Sequence, residues 1–353
     1  MSAQVPGLAA ILSSRDSTFP EAPVSSSTRV LPWRYWLLCF ACLSMLGLLY
    51  VATGIAIAQT STVPGASQAA DTKAKTANEL DRARQLLSTS SWESAAPLVK
   101  NYLNKHPNSG EAHALMGFIL YRERQPRPSM EEFLQESKAQ DLSAFDLRIF
   151  ALDCAAINDF PGADMWLRRS IEKDDRDAAS WEALGHVRIA EQQFEAAIEA
   201  LERALQLAPL TVSAESLIGL ANERLSRANA AETAYRTAIQ WQVGRAEKDA
   251  IPFIGLGRVL IGDNQPDAAI SWLQQAARIP PPSSEQHELL GLAYSKTGRQ
   301  PEAATELETA IRLQPEEARL HLMLARVYRS LGEPEKADAE LKQYSILNGN
   351  APR

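Results

Sequence analysis

AASWEALGHVRIAEQQFEAAIEALERALQLAPLT, residues 178–211, decides the fold of this chain. Trp181, Leu184 and Gly185 lie on one stripe at helical spacing. Phe194, Ala197, Leu201 and Ala204 form a second stripe, and Pro209 ends it because proline cannot continue a helix. Moving outward from Ala197, a small residue recurs at Ala95, Ser129, Ala163, Ala231, Ala269, Ala303 and Ala337. The step is 34 residues, apart from one of 38 between Ala231 and Ala269, which an insertion at Ala246 to Asp249 explains. A unit of two short amphipathic helices cannot bury its own apolar stripes, so a fixed period of this length specifies stacked units that supply one another's core.

The pattern resembles the tetratricopeptide repeat signature. The resemblance recurs in residues 284–317 through Leu290, Gly291, Tyr294, Ala303, Leu307, Ala310 and Pro315, and in residues 318–351 through Leu324, Ala325, Tyr328, Ala337 and Leu341. Weaker copies keep the frame: Ala83, Trp92, Ala95, Val99 and Pro107; then Ile218, Gly219, Ala231, Tyr235 and Ala238; then Leu256, Gly257, Ala269, Leu273, Ala276 and Pro281. The resemblance implies an all-α fold, an α-solenoid wound as a right-handed superhelix of antiparallel helix pairs. About eight units are expected, at 76–109, 110–143, 144–177, 178–211, 212–245, 250–283, 284–317 and 318–351. Gly185, Gly219, Gly257 and Gly291 stand where the two helices of a pair approach closely, and Phe194, Leu201 and Leu307 fill the space between pairs. Residues 110–177 depart from the pattern. Glu136 stands where alanine is expected, Asp141 and Asp175 replace the terminal proline, and Pro126 and Pro128 crowd a turn. The departures read as drift within a tolerant array, or as a softer joint.

Residues 1–34 form a polar amino end, and the uncharged apolar run from Tyr35 to Ala58 is long enough to span a bilayer as a helix. Arg29 and Arg34 precede it and no Lys or Arg follows until Lys73, so the positive-inside rule places the repeats across the membrane from the amino end. The run reads as a signal peptide core or as a retained transmembrane anchor. Small residues before Ala58 and Gln59 offer a signal-peptidase site, which would leave a periplasmic or secreted protein of an exported bacterial type. The length of the run and the flanking Trp33, Tyr35 and Trp36 favour an anchor with the repeats outside the inner membrane. Cys39 and Cys42 lack a lipobox, and residues 59–75, rich in Ser, Thr, Ala and Gly, read as a flexible spacer. Cleavage would leave Cys154 alone, which excludes an intrachain disulfide and points to a buried structural thiol.

Residues 1–58 carry Arg15, Arg29 and Arg34 against Asp16 and Glu21, so of the total charge of −7 the rest of the chain carries −8. An acidic array argues against nucleic acid as a partner, because phosphate binding needs a basic patch. No catalytic set, phosphate loop or cofactor motif is visible, and no enzyme, cofactor or metal function is expected. His113, His287 and His321 occupy the repeat position that Trp181 fills, which ties their spacing to packing rather than ligation. Gly291 stands where a zinc-protease helix beginning at His287-Glu288 would need its second histidine.

In this family the first helix of each pair lines the inner surface of the superhelix. Helical spacing places Leu220, Ile254, Arg258, Ile261, Leu292, Lys296, Leu322, Arg326 and Arg329 on or near that surface, an apolar stripe interleaved with cations. The Lys and Asn clamp of chaperone-binding members is missing, since the corresponding positions hold Leu80 and Arg84, Ala114 and Phe118, Arg148 and Leu152, and Glu182 and His186. The expected function is a non-enzymatic scaffold or adaptor outside the cytoplasmic membrane that binds a peptide segment or partner protein in the groove. A membrane-anchored structural component of an envelope secretion, pilus or cell-wall assembly is the alternative. Partners are proteins or peptides, with the membrane added if residues 35–58 are retained; oligomeric state stays open. Arg258→Glu together with Arg326→Glu is the corresponding test of the groove.

Overall fold

The computed structural model describes residues 79–135 and 142–349. Among them are sixteen helices and no strand. They are α1 (79–88), α2 (Trp92–Lys105), α3 (Gly110–Arg122), α4 (Pro126–Gln135), α5 (Ala144–Ala156), α6 (Phe160–Lys173), α7 (Ala178–Ala190), α8 (Phe194–Leu207), α9 (Val212–Arg224), α10 (Ala228–Gln240), α11 (Ile251–Gly262), α12 (Pro266–Ala276), α13 (Ser284–Lys296), α14 (Gln300–Leu313), α15 (Ala318–Leu331) and α16 (Pro334–Leu347). Odd-numbered helices are the first of each pair and even-numbered helices the second. From α2 onward each helix packs on the next in sequence, and successive first helices from α3 to α15 also touch each other. No comparable approach joins successive second helices. The array therefore curves with its first helices inside and its second helices outside. None of the described helices is long and apolar enough to cross a membrane. The run from Tyr35 to Ala58, with Ala58 and Gln59 at its end and the spacer 59–75 after it, lies outside the described residues.

The distance between paired helices is set by small residues facing large ones. A Cβ on Gly185 would stand 2.5 Å from Leu201 Cγ, closer than two carbons approach. Tyr235 is gripped from both sides: a Cβ on Gly219 of its own pair or on Gly255 of the next would meet its ring at 2.6 and 2.3 Å. The ring is almost fully buried, and its hydroxyl donates to Glu223 at 3.1 Å.

Every pair turns the same way. The residues at the first-to-second helix turn, Ser90, Arg124, Asn158, Gln192, Ser226, Asn264, Gly298 and Gly332, all have φ between +58 and +76°. In each case two backbone bonds close the first helix, as where Gln192 N donates to Ile189 O at 3.0 Å and Gln193 N to Arg188 O at 2.8 Å. This is the Schellman arrangement, with a left-handed residue at C′. The second helix opens right after it, at Trp92, Pro126, Phe160, Phe194, Ala228, Pro266, Gln300 and Pro334. Pro126 thus begins α4 instead of crowding the turn, since the first helical position needs no N–H partner.

The irregular units are built on polar contacts. Ser129, in the alanine position, donates to Gly117 O at 2.8 Å, and the buried Asp153 reaches the same hydroxyl. Ser170 Oγ donates to Ala144 O at 2.7 Å and meets Ser180 Oγ at 2.8 Å; Ser180 in turn donates to Asp177, which pairs with Arg148 at 3.1 Å. Lys173 donates to Leu142 O. The core here is made of large side chains, including Phe118, Phe133, Ile149 and Phe150. Glu136 and Asp141 lie outside the described residues. The insertion is pinned by Gln242, whose side chain bonds both the N–H and the carbonyl of Asp249.

Candidate interaction surface on the inner helices

Neighbouring first helices are joined by a ladder of charge pairs along the inner side. Arg84 of α1 pairs with Glu111 of α3. Arg258 of α11 reaches back to Glu223 of α9 at 2.9 Å and forward to Glu285 of α13 at 3.4 Å. Glu288 of α13 pairs with Arg319 of α15 at 2.6 Å, and Glu182 of α7 accepts from the Ser213 hydroxyl of α9. Burial disfavours the Arg258 charge, but Glu223 and Glu285 outweigh it and hold the guanidinium pKa above its ordinary value. Since Glu223 also accepts from Tyr235, the ladder runs directly into the core.

The residues read from the sequence as a groove divide into three sets. Ile254 and Ile261 are core residues, each 6 % exposed, and Arg258 is committed to its two glutamates. Leu220 and Leu292 are half-buried and pack against core clusters. Leu322 is half-buried as well and belongs to no core cluster. Lys296 and Arg326 are exposed and have no ion-pair partner among the described residues. Arg329 approaches Asp338 only to 4.0 Å, with both side chains largely in water. Leu292, Lys296, Leu322, Arg326 and Arg329 thus share two neighbouring inner helices, α13 and α15. Arg224, exposed in the last turn of α9, is an inner-side cation that the sequence reading missed; its place one turn after Leu220 was the signal.

Titratable groups elsewhere serve packing. His113, His287 and His321 place Nδ1 2.6 to 2.7 Å from Glu132, Glu306 and Glu340, each 19 residues on, which clips the first helix to the second. His113 and His321 place Nε2 on the carbonyl oxygen six residues back, at 2.8 and 3.2 Å, as Trp181 does with its ring N–H at 3.0 Å. Cys154 is buried, and burial with Asp159 and Asp153 nearby pushes its thiol up to about 12. Desolvation raises Asp153 to about 8 and lowers His186 to about 4. Among the described residues no three His, Cys, Asp or Glu come together as metal ligands. The chemistry the inner surface offers a partner is apolar contact and cation-to-carboxylate pairing.

Comparison with known proteins follows the same lines. The tetratricopeptide repeat family profile matches residues 182–250 and 289–350. No curated protein sequence matches the chain. Among solved structures, the APC/C hetero-tetramer Cut9-Hcn1 is similar with a TM-score of 0.56 at 18 % identity, over 77 % of this chain; this chain spans about half, 53 %, of that one. A tetratricopeptide repeat protein from Parabacteroides merdae ATCC 43184 is similar with a TM-score of 0.56 at 12 % identity, over 71 % of this chain and 98 % of that one. Pseudomonas aeruginosa pilF is similar with a TM-score of 0.50 at 20 % identity, over 60 % of this chain and 95 % of that one. At these identities the likeness concerns the fold alone. With its 34-residue period, its glycine-to-leucine approaches and its eight like turns, the array has the fold of a tetratricopeptide repeat solenoid, and its units at 182–250 and 289–350 match that family's profile.

Proposed function

We propose that this protein is a non-enzymatic scaffold that binds a segment of a partner protein along its inner first helices, outside the cytoplasmic membrane. The observation that carries the binding reading is the set on α13 and α15, where half-buried leucines stand beside cations that the fold does not neutralise. The location rests on the apolar run from Tyr35 to Ala58 with Arg29 and Arg34 on its amino side. A second reading, a membrane-anchored structural component of an envelope assembly, is favoured by the length of that run and by Trp33, Tyr35 and Trp36 beside it.

Affinity capture from native cells tests the first reading. Partners held by the wild-type chain and lost by Leu292→Ser with Leu322→Ser support an inner-surface scaffold; partners retained equally by both overturn it. The intact mass of the chain purified from cells separates the two locations, since a product beginning at Gln59 supports a released scaffold and one that retains residues 35–58 supports the anchored component. Repeats that resist protease in cells with a permeabilised outer envelope would place them in the cytoplasm and overturn both.

A further inference from the structure

Resting on the inner-surface reading above, we propose that α13 and α15 take an acidic protein segment, with its carboxylates on Lys296 and Arg326 and its apolar side chains on Leu292 and Leu322. Among the other cations of the inner helices, Arg84 is neutralised by Glu111, Arg258 by Glu223 and Glu285, and Arg319 by Glu288, while Arg224 in the last turn of α9 is exposed. Lys296 and Arg326 stand outside that ladder. Lys296 lies in the last turn of its helix, where the free carbonyls favour a cation whatever else it does. Arg326 lies in the middle of α15, and no such local reason accounts for it.

The two helices repeat one spacing. Leu292 precedes Lys296 by four residues and Leu322 precedes Arg326 by four, so each pair lies on one helical face. Apolar contact and positive charge are thereby set side by side twice on neighbouring helices. A neutral segment laid there would strip water from the cations without replacing it, and a basic one would be repelled. In a chain of net charge −7, two uncompensated cations on adjacent inner helices also draw an acidic segment toward them.

The experiment uses the full chain in a mild detergent and three labelled peptides with the same leucines, carrying glutamate, glutamine or lysine at the other positions. Fluorescence polarisation is expected to show tightest binding of the glutamate peptide, weakening as salt rises from about 50 to 300 mM. Lys296→Glu with Arg326→Glu is expected to weaken that peptide at least about tenfold and to turn the preference toward the lysine peptide. Equal binding of the glutamine peptide, an unchanged affinity in the charge-reversed variant, or no binding of any peptide overturns the acidic-segment assignment. In the first two cases the Leu292→Ser, Leu322→Ser variant separates the causes. If it abolishes binding, the inner surface stands and only the charge preference falls; if it binds like the wild type, the inner-surface reading falls too.

Discussion

Asp153 shows how a single residue departs from the repeat pattern and what that departure does. Ser129 has one hydroxyl proton and gives it to Gly117 O, so it cannot also donate to Asp153. A neutral Asp153 removes the conflict, and desolvation, which raises the carboxyl to about 8, outweighs the Ser129 contact that would lower it. An ordinary carboxylate in the unfolded chain titrates near ~3.9. The folded chain therefore holds a proton that the unfolded chain releases, and this contribution to stability is fully present below pH ~4 and lost as pH rises toward about 8. The slope in that window is roughly 1.4 kcal/mol per pH unit. Asp153→Asn keeps the shape and the donor and removes the titration, so its melting temperature should exceed that of the wild type at pH 8 and match it near pH 4. Parallel melting curves for the two proteins across that range would show that Asp153 is charged in the fold.

At the scale of helices and turns, eight first helices end in the same left-handed residue, yet only Gly298 and Gly332 are of the type that favours it. Asn158 and Asn264 tolerate it, whereas Gln192 and Arg124 bear the Cβ clash. Gln192→Gly should stabilise the protein by about 0.5 to 1 kcal/mol, and Gly298→Gln should destabilise it by a similar amount, both read from denaturant midpoints. The same sign for both substitutions would mean that the side chains, not the backbone, decide the turn. These turns also mark what sequence reading misses. Gly185 and its equivalents were legible because close approach leaves only the smallest residues, glycine or, as at Ala151 and Ala325, alanine. The turn position carries Ser, Arg, Asn, Gln and Gly, since the two backbone bonds are strong enough to hold residues that dislike the conformation. Arg258 illustrates a second limit: helical periodicity placed it on the inner side, but only three-dimensional packing brings Glu223 and Glu285 to it from two other helices. Ile254 and Ile261 fell into the core for a related reason, because the curvature that closes neighbouring first helices together is not written in one helix's period. The substitutions proposed from sequence therefore separate. Arg258→Glu places a third carboxylate among two and should cost about 3 kcal/mol or more, whereas Arg326→Glu should stay within about 0.5 kcal/mol of the wild type in thermal melts. A large loss in Arg326→Glu would mean that this side chain is held by the fold after all.

Across the whole molecule, stability is close to a sum of units and of the interfaces between them, and the last described unit has an interface on one side only. Leu307 of α14 and Leu341 of α16 occupy the same repeat position. Leu307 is 1 % exposed because α15 covers it, while Leu341 is half-buried, and Ile346 and Leu347 beyond it are exposed. The same substitution should then have two outcomes. Leu307→Ala leaves a cavity between two pairs and should cost about 3 kcal/mol, within the range for a sealed leucine. Leu341→Ala loses partial burial and leaves no closed void, and should cost about 1 kcal/mol. Hydrogen exchange should follow the same order, with the amides of α16 exchanging faster than those of α14, because a pair held on one face opens without disturbing its neighbour. Equal losses for the two variants, together with a melting temperature that rises with protein concentration, would mean that a second copy of the chain covers α16 in solution. Equal losses independent of concentration would mean that the half-buried leucine is supported within its own pair, and that the interfaces contribute less to this array than the pairs themselves.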